Sequence, residues 1–212
     1  MTHSSLGTTD ALRPPDTGRA LAAVLAVLQE ERERLLATVA DLPEDDVNRR
    51  PPSGAWSVGE VLDHLHRVET GIARIVAGLI SKAKAAGPLP PAPAESEEAV
   101  AAALASLDRF RIDTVVRPIE ASEPVRPQGT HPKAELLDAL GRSRAALLAA
   151  VAEGAGHDLA ALRYPHRVLG DIDLQQWLLF AAKHERRHVT QIERVKAAIT
   201  GPDAAASGPG SA

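Results

Sequence analysis

What most constrains this chain is the way its apolar residues recur. Along four long segments, leucine, valine and isoleucine return every three or four positions, and proline or glycine closes off each segment. That spacing places the apolar residues on one stripe of an α-helix. The first segment covers about 17–41, with Leu21, Val24, Leu25, Leu28, Leu35 and Leu36. The second covers 57–86, the third 132–151 (Leu136, Leu137, Leu140, Leu147, Leu148) and the last 173–200. A shorter amphipathic segment, 95–114, lies between the second and third. Alanine and leucine, both strong helix formers, supply 39 and 25 of the 212 residues, so propensity agrees with periodicity. Two of the starts carry their own caps: Ser57-Val58-Gly59-Glu60 reads as a capping box, and Asp173-Leu174-Gln175-Gln176 has the same form. Four amphipathic helices joined by short or medium connections predict an all-α four-helix bundle with an additional short helix and Pro-rich connectors. No internal repeat and no strand is expected.

The breaks set the connections. GPLPPAPA at 87–94 holds four prolines and predicts an extended connector, and RPIEASEPVRPQGTHP at 117–132 is a second break. The Thr/Ser/Pro-rich residues 1–16 predict a flexible lead-in and GPDAAASGPGSA at 201–212 a disordered tail, which leaves 17–200 as the folded domain. The absence of cysteine excludes a disulfide scaffold, a zinc ribbon, a thiolate nucleophile and a haem-attachment motif. A formal charge of -4 and a pI near 6.1 oppose a nucleic-acid-binding face. No stretch approaches the roughly 18 apolar residues of a membrane span, and the N-terminus lacks the layout of a secretory signal. The expectation is a cytoplasmic protein acting on a small molecule, with no nucleic-acid or membrane partner.

The eight histidines outnumber the aromatic residues, and they fall into two groups. His3, His131 and His157 sit in loops or at ends, and His66 lies about 200° around its helix from His64, so it is expected to face solvent. His184 and His188 differ: four apart, they share the apolar stripe of the last helix with Trp177, Phe180, Gln191 and Val195. His64 shares the buried stripe of the second long helix with Val61, Val68 and Ile75, and Glu60 lies at its border. Buried imidazoles cost free energy unless their nitrogens are paired. Hydrogen-bonding neighbours would satisfy them, and so would a divalent metal. Three imidazoles without a carboxylate leave coordination positions open, the pattern of a reactive site. Imidazole suits zinc, nickel, copper and iron alike; zinc or nickel is the leading expectation.

His184-Glu185-Arg186-Arg187-His188 also matches the His-Glu-x-x-His form of zinc proteases, where the glutamate is the general base. Against it, no histidine follows His188, the only acid beyond Glu193 is Asp203, and no strand-rich region is present to hold a peptide. Glu185 and Arg187 are accordingly expected on an ordinary solvated face. Arg187 nonetheless borders the histidine stripe and is a candidate carboxylate clamp. Glu60 is a candidate base or ligand-orienting group, and Gln191 a candidate hydrogen-bond partner of the site. Trp56 and Trp177 are expected to line the site or to pack in the core.

The run Trp56-Ser57-Val58-Gly59-Glu60-Val61-Leu62-Asp63-His64-Leu65, then a long gap, then His184-x-x-x-His188-x-x-Gln191-Ile192, resembles the DinB-like superfamily, including its YfiT-like and thiol-transferase branches. YPHRVLGDIDLQQWLLFAAKHERRHVTQIERV resembles the C-terminal part of these proteins, including the Gly170 turn and the Gln-Trp pair before the helix. The resemblance covers roughly 17–200. It implies a DinB-like four-helix bundle, often a homodimer, with a divalent metal on His64, His184 and His188. His166-Arg167 departs from the His-Pro often seen before the turn, leaving His166 only a supporting group. Proteins of this resemblance include transferases of low-molecular-weight thiols such as bacillithiol or mycothiol, thiol-dependent maleylpyruvate isomerases and hydrolases. A metal with open positions binds a thiol as thiolate, and a chain without cysteine must receive that thiol as a co-substrate. The expectation is a metal-dependent thiol S-transferase. The alternatives are a metal-dependent hydrolase, in which the same metal activates water, and a non-catalytic metal or small-ligand binding module.

Overall fold

A computed structural model describes residues 18–114 and 120–201. The expectations for residues 1–16 and 202–212 lie outside the described residues. The four long periodic segments form helices α1 (Arg19–Val39), α3 (Val58–Ala86), α5 (Lys133–Ala152) and α6 (Leu174–Thr200), which assemble as the bundle. Two short helices accompany them, α2 (Glu44–Val47) and α4 (Glu97–Ala105). The expected segment 95–114 is divided: α4 ends at Ala105, and 3-10 turns at Asp108–Phe110 and Ile112–Thr114 follow. Both sequence-read caps form. The Ser57 hydroxyl accepts from Glu60 N while the Glu60 carboxylate accepts from Ser57 N, and Asp173 and Gln176 repeat the exchange at α6.

Each bundle helix contributes to two apolar clusters stacked along the bundle axis. One contains Leu28 of α1, Ile72 of α3, Leu147 of α5 and Leu178 of α6. The other contains Leu35, Leu62, Leu140 and Ile192 of the same four helices. Between them, each helix inserts one charged residue: Arg32, Glu69, Arg144 and Glu185, all buried. These close an alternating ring. Arg32 donates to Glu185 at 2.5 Å and to Glu69 at 2.9 Å, and Arg144 donates to Glu69 at 2.7 Å and to Glu185 at 2.9 Å. The remaining donors are used as well, Arg32 on the Leu140 carbonyl and Arg144 on the Leu28 carbonyl, while Ser143 donates to Glu69. Paired and fully hydrogen-bonded, the charges meet the condition under which ions tolerate an interior.

The strand-free expectation is corrected by a hairpin. β1 (Arg163–His166) pairs antiparallel with β2 (Gly170–Asp173), and its turn ends at Gly170 with φ 79°, a conformation natural to glycine. The four-residue strands bury only Ile172, so they carry no alternating apolar pattern to read. Trp177 of α6 holds the hairpin by donating its indole N–H to the Tyr164 carbonyl at 3.1 Å. The proline connector is extended as expected and lies along the 154–158 turn, with Ala92 N bonded to the Gly156 carbonyl and Asp158 N to the Pro90 carbonyl. No helix among the described residues is long and apolar enough to cross a membrane.

Candidate metal centre and its pocket

The site is built on α3 and α6, whose facing stripes carry His64 and the pair His184 and His188. One ring nitrogen from each of the three lies within 4.8 Å of the others. His184 Nε2 stands 3.2 Å from His188 Nε2 and 3.4 Å from His64 Nε2. The far side of two rings is fixed. His64 Nδ1 donates to the Val125 carbonyl at 2.7 Å, and His188 Nδ1 donates to Gln191 Oε1 at 2.8 Å. A carbonyl oxygen can only accept, so both rings carry their proton on Nδ1 and present a bare lone pair on Nε2.

Burial keeps these rings neutral. It pushes His64 below the usual histidine range against the opposing pull of the Val125 carbonyl, and it pushes His184 well below, helped by the two neighbouring imidazoles. His188 is lowered to about 3, chiefly by burial and then by His64. Two lone pairs therefore aim at His184 Nε2, where a single proton could bond to one of them and would leave the other unsatisfied. A cation placed among the three nitrogens would accept all of them. A tetrahedral ion with nitrogens at ~2.0–2.1 Å spaces them about 3.3 Å apart, which the two separations from His184 Nε2 match. The three histidines are thus placed where they could hold a metal ion.

The triad forms the floor of a cavity of about 440 Å³. Val68, Ile72 and Ile75 of α3 form one wall, Trp177 and Phe180 of α6 another, and Phe110 and Ile112 a third. Trp56 stands over His64 with ring centroids 5.2 Å apart. The hairpin supplies His166, Arg167, Val168 and Leu169. His166 Nδ1 accepts from Val168 N and Leu169 N, both at 3.1 Å, and its ring packs on Phe180 with centroids 4.5 Å apart. His166 is therefore a wall of the cavity that also shapes the hairpin turn.

Other sequence-read residues are placed differently. Glu60 is absent from the cavity lining: its carboxylate caps α3 and pairs with Arg50. The capping-box motif already accounted for that carboxylate. Glu185, expected at a solvated face, is 3% exposed and belongs to the charge ring. It turns away from the histidine floor, so the protease-like arrangement with this glutamate as base does not form. His66, expected to face solvent, is half-buried against Asp63, with Nε2 2.9 Å from Oδ1. Arg187 lines the cavity and is half-buried, not part of a solvated face. Sequence reasoning missed Val125 and Asp63. Asp63 is buried and accepts from Gln128 N at 2.7 Å, as well as from His66 and Arg67, which ties the loop bearing Val125 to α3. Its place next to His64 was the available signal.

The chain is 25% identical over 175 residues to the uncharacterized protein YuaE of Bacillus subtilis, an alignment spanning 82% of this chain and 98% of that protein. The sequence pattern of the DinB superfamily matches residues 27–192, a span that begins in α1, ends in α6 and contains all three histidines. The chain belongs to the DinB superfamily.

Proposed function

We propose that this protein is a divalent-metal-dependent enzyme that joins a low-molecular-weight thiol, of the bacillithiol or mycothiol type, to an electrophilic small molecule. The observation that carries the reading is the convergence of three Nε2 atoms on the floor of an open apolar cavity, with two of the rings locked in the metal-ligating tautomer. Zinc or nickel suits such a nitrogen set. A bound divalent ion would lower the pKa of a thiol and supply a nucleophile near neutral pH. The chain has no cysteine of its own, so the sulfur must enter from outside. The protein's own groups orient the ligands through Gln191 and Val125, and the walls of Trp177, Phe180 and Ile72 exclude water around the reacting pair. In the reaction a C–S bond forms, the thiol proton passes to solvent or to the displaced group, and that group leaves with its bonding electrons. No oxidant is needed.

The test has two stages. Protein purified without a histidine tag should carry about one divalent ion per chain, and His64→Ala should lose it. A panel of electrophiles is then offered with several cellular thiols. Thiol-dependent turnover that stops with a chelator supports the proposal. Chelator-sensitive turnover without thiol supports a hydrolase in its place, and tight ligand binding without turnover supports a binding module.

A further inference from the structure

Arg187 stands out among the arginines of α6 and its neighbours. Arg32 and Arg144 are saturated by the charge ring, and Arg186 donates to the buried carboxylate of Glu31 at 2.8 Å. Arg187 lines the cavity, is half-buried, and has no carboxylate or hydrogen-bond partner among the described residues. Residues 115–119, which adjoin the cavity lining in sequence, contain no acid. The one carboxylate among the described residues lining the cavity, Glu120, is exposed and accepts from Arg126. A guanidinium withdrawn from water without a counter-charge is costly, and its planar fork matches a carboxylate in a bidentate pair. Elsewhere in the same cavity the walls of Val68, Ile72, Phe180 and Trp177 are apolar and wide enough for a ring.

We propose that Arg187 is the anchor for a small organic carboxylate, so that the pocket's ligand is an apolar, ring-sized acid held with its carboxylate on Arg187 and its body over the histidine floor. A monoanion fits better than a phosphate ester. Of the two arginines among its described lining residues, Arg167 is exposed and only Arg187 is half-buried, and no α-helix N-terminus or glycine-rich loop among those residues adds further donors. The inference deepens the enzyme reading by naming the class of its substrate. It stands on the pocket and Arg187, and its test needs no metal.

Trp56 and Trp177 are the only tryptophans of the chain and both line the cavity, so intrinsic fluorescence reports occupancy. The full-length protein, freed of metal with a chelator, is titrated with 3-phenylpropanoate and with 3-phenylpropanamide, which has the same shape without the charge. The acid should bind at least about 10-fold more tightly than the amide, and Arg187→Met should erase the difference while Arg187→Lys keeps part of it. Equal binding of acid and amide by the unaltered chain would overturn the anchor, a result that does not depend on any variant folding. A preference that survives in Arg187→Met would overturn it too, and tighter binding of phenyl phosphate than of 3-phenylpropanoate would overturn the carboxylate assignment. Loss of metal on His64→Ala is read separately, so the metal reading and the anchor can fail independently.

Discussion

His184 and Glu185 are adjacent in the chain and serve opposite compartments: the imidazole meets His64 and His188 at the cavity floor, while the carboxylate closes the ring of buried charges with Arg32 and Arg144. Substitution of the glutamate therefore tests stability, not proton transfer. Glu185→Gln leaves two buried guanidinium groups facing Glu69 alone and should cost about 3–5 kcal/mol. Urea denaturation measures this, and the folded fraction should still bind metal with unchanged stoichiometry. A variant of full stability that had lost only its activity would contradict this placement.

Gln191 holds the His188 ring through its Nδ1 proton. Removing that acceptor in Gln191→Ala frees the ring to rotate and to change tautomer. Groups in this position are worth roughly 10–100-fold in metal affinity. Competition with a chromogenic chelator should show a loss of that size, with the helical circular dichroism unchanged.

Asp63 acts at longer range. Burial tends to raise its pKa, yet the Arg67 guanidinium, the Gln128 N–H and His66 together hold it below the usual carboxylate range. Asp63→Ala should remove the acceptor of the part-buried Gln128 N–H, at a cost of about 0.5–1.5 kcal/mol, and loosen the loop that presents the Val125 carbonyl. The expected result is a lower midpoint of thermal unfolding together with a several-fold weaker metal site, weakened through His64.

The lowered pKa values of the triad fix the sign of a pH effect. Between the ordinary histidine value of 6.5 and the folded value of about 3 for His188, the unfolded chain binds protons that the folded chain refuses. Stability of the metal-free protein must then rise with pH across this window and fall as acid is added below about 6.5. Replacing His188 with Gln should flatten that slope in urea titrations run from pH 7 to pH 4.5. The same refusal means that protons compete weakly for the ligands, so metal affinity at pH 5.5 should stay close to its neutral value. A steep loss between pH 7 and 5.5 would show that the rings titrate like free histidines.

The parts of this molecule that were readable in its sequence are those whose signal is local. Leu28, Leu35, Leu62, Leu140 and Ile192 recur with the helical period, and that period alone implied four packed helices. His64, His184 and His188 were readable because each occupies an apolar stripe where an imidazole needs a reason to be. Arg32 and Glu69 occupy the same stripes, between Leu28 and Leu35 and between Leu65 and Ile72. Their neutralising partners are 37 to 153 positions away, however, and a charge whose partner is unseen reads as a solvent face. The hairpin was unreadable for a different reason, since strands lying on the rim bury almost nothing. Val125 acts through its backbone carbonyl, which no side-chain pattern reveals.

The ring of buried charges has a consequence for how the protein is assembled. It holds two positive and two negative groups, one from each bundle helix, so every group finds both of its partners only when all four helices are in place. Any three would enclose an uncancelled unit charge, and α3 with α6 alone would bring the Glu69 and Glu185 carboxylates together without a counter-charge. The penalty acts as a completion check: α3 and α6 cannot settle around their histidines until α1 and α5 have docked. A nascent or damaged chain would therefore not display a half-built triad to stray metal ions, because the site becomes available only with the finished fold.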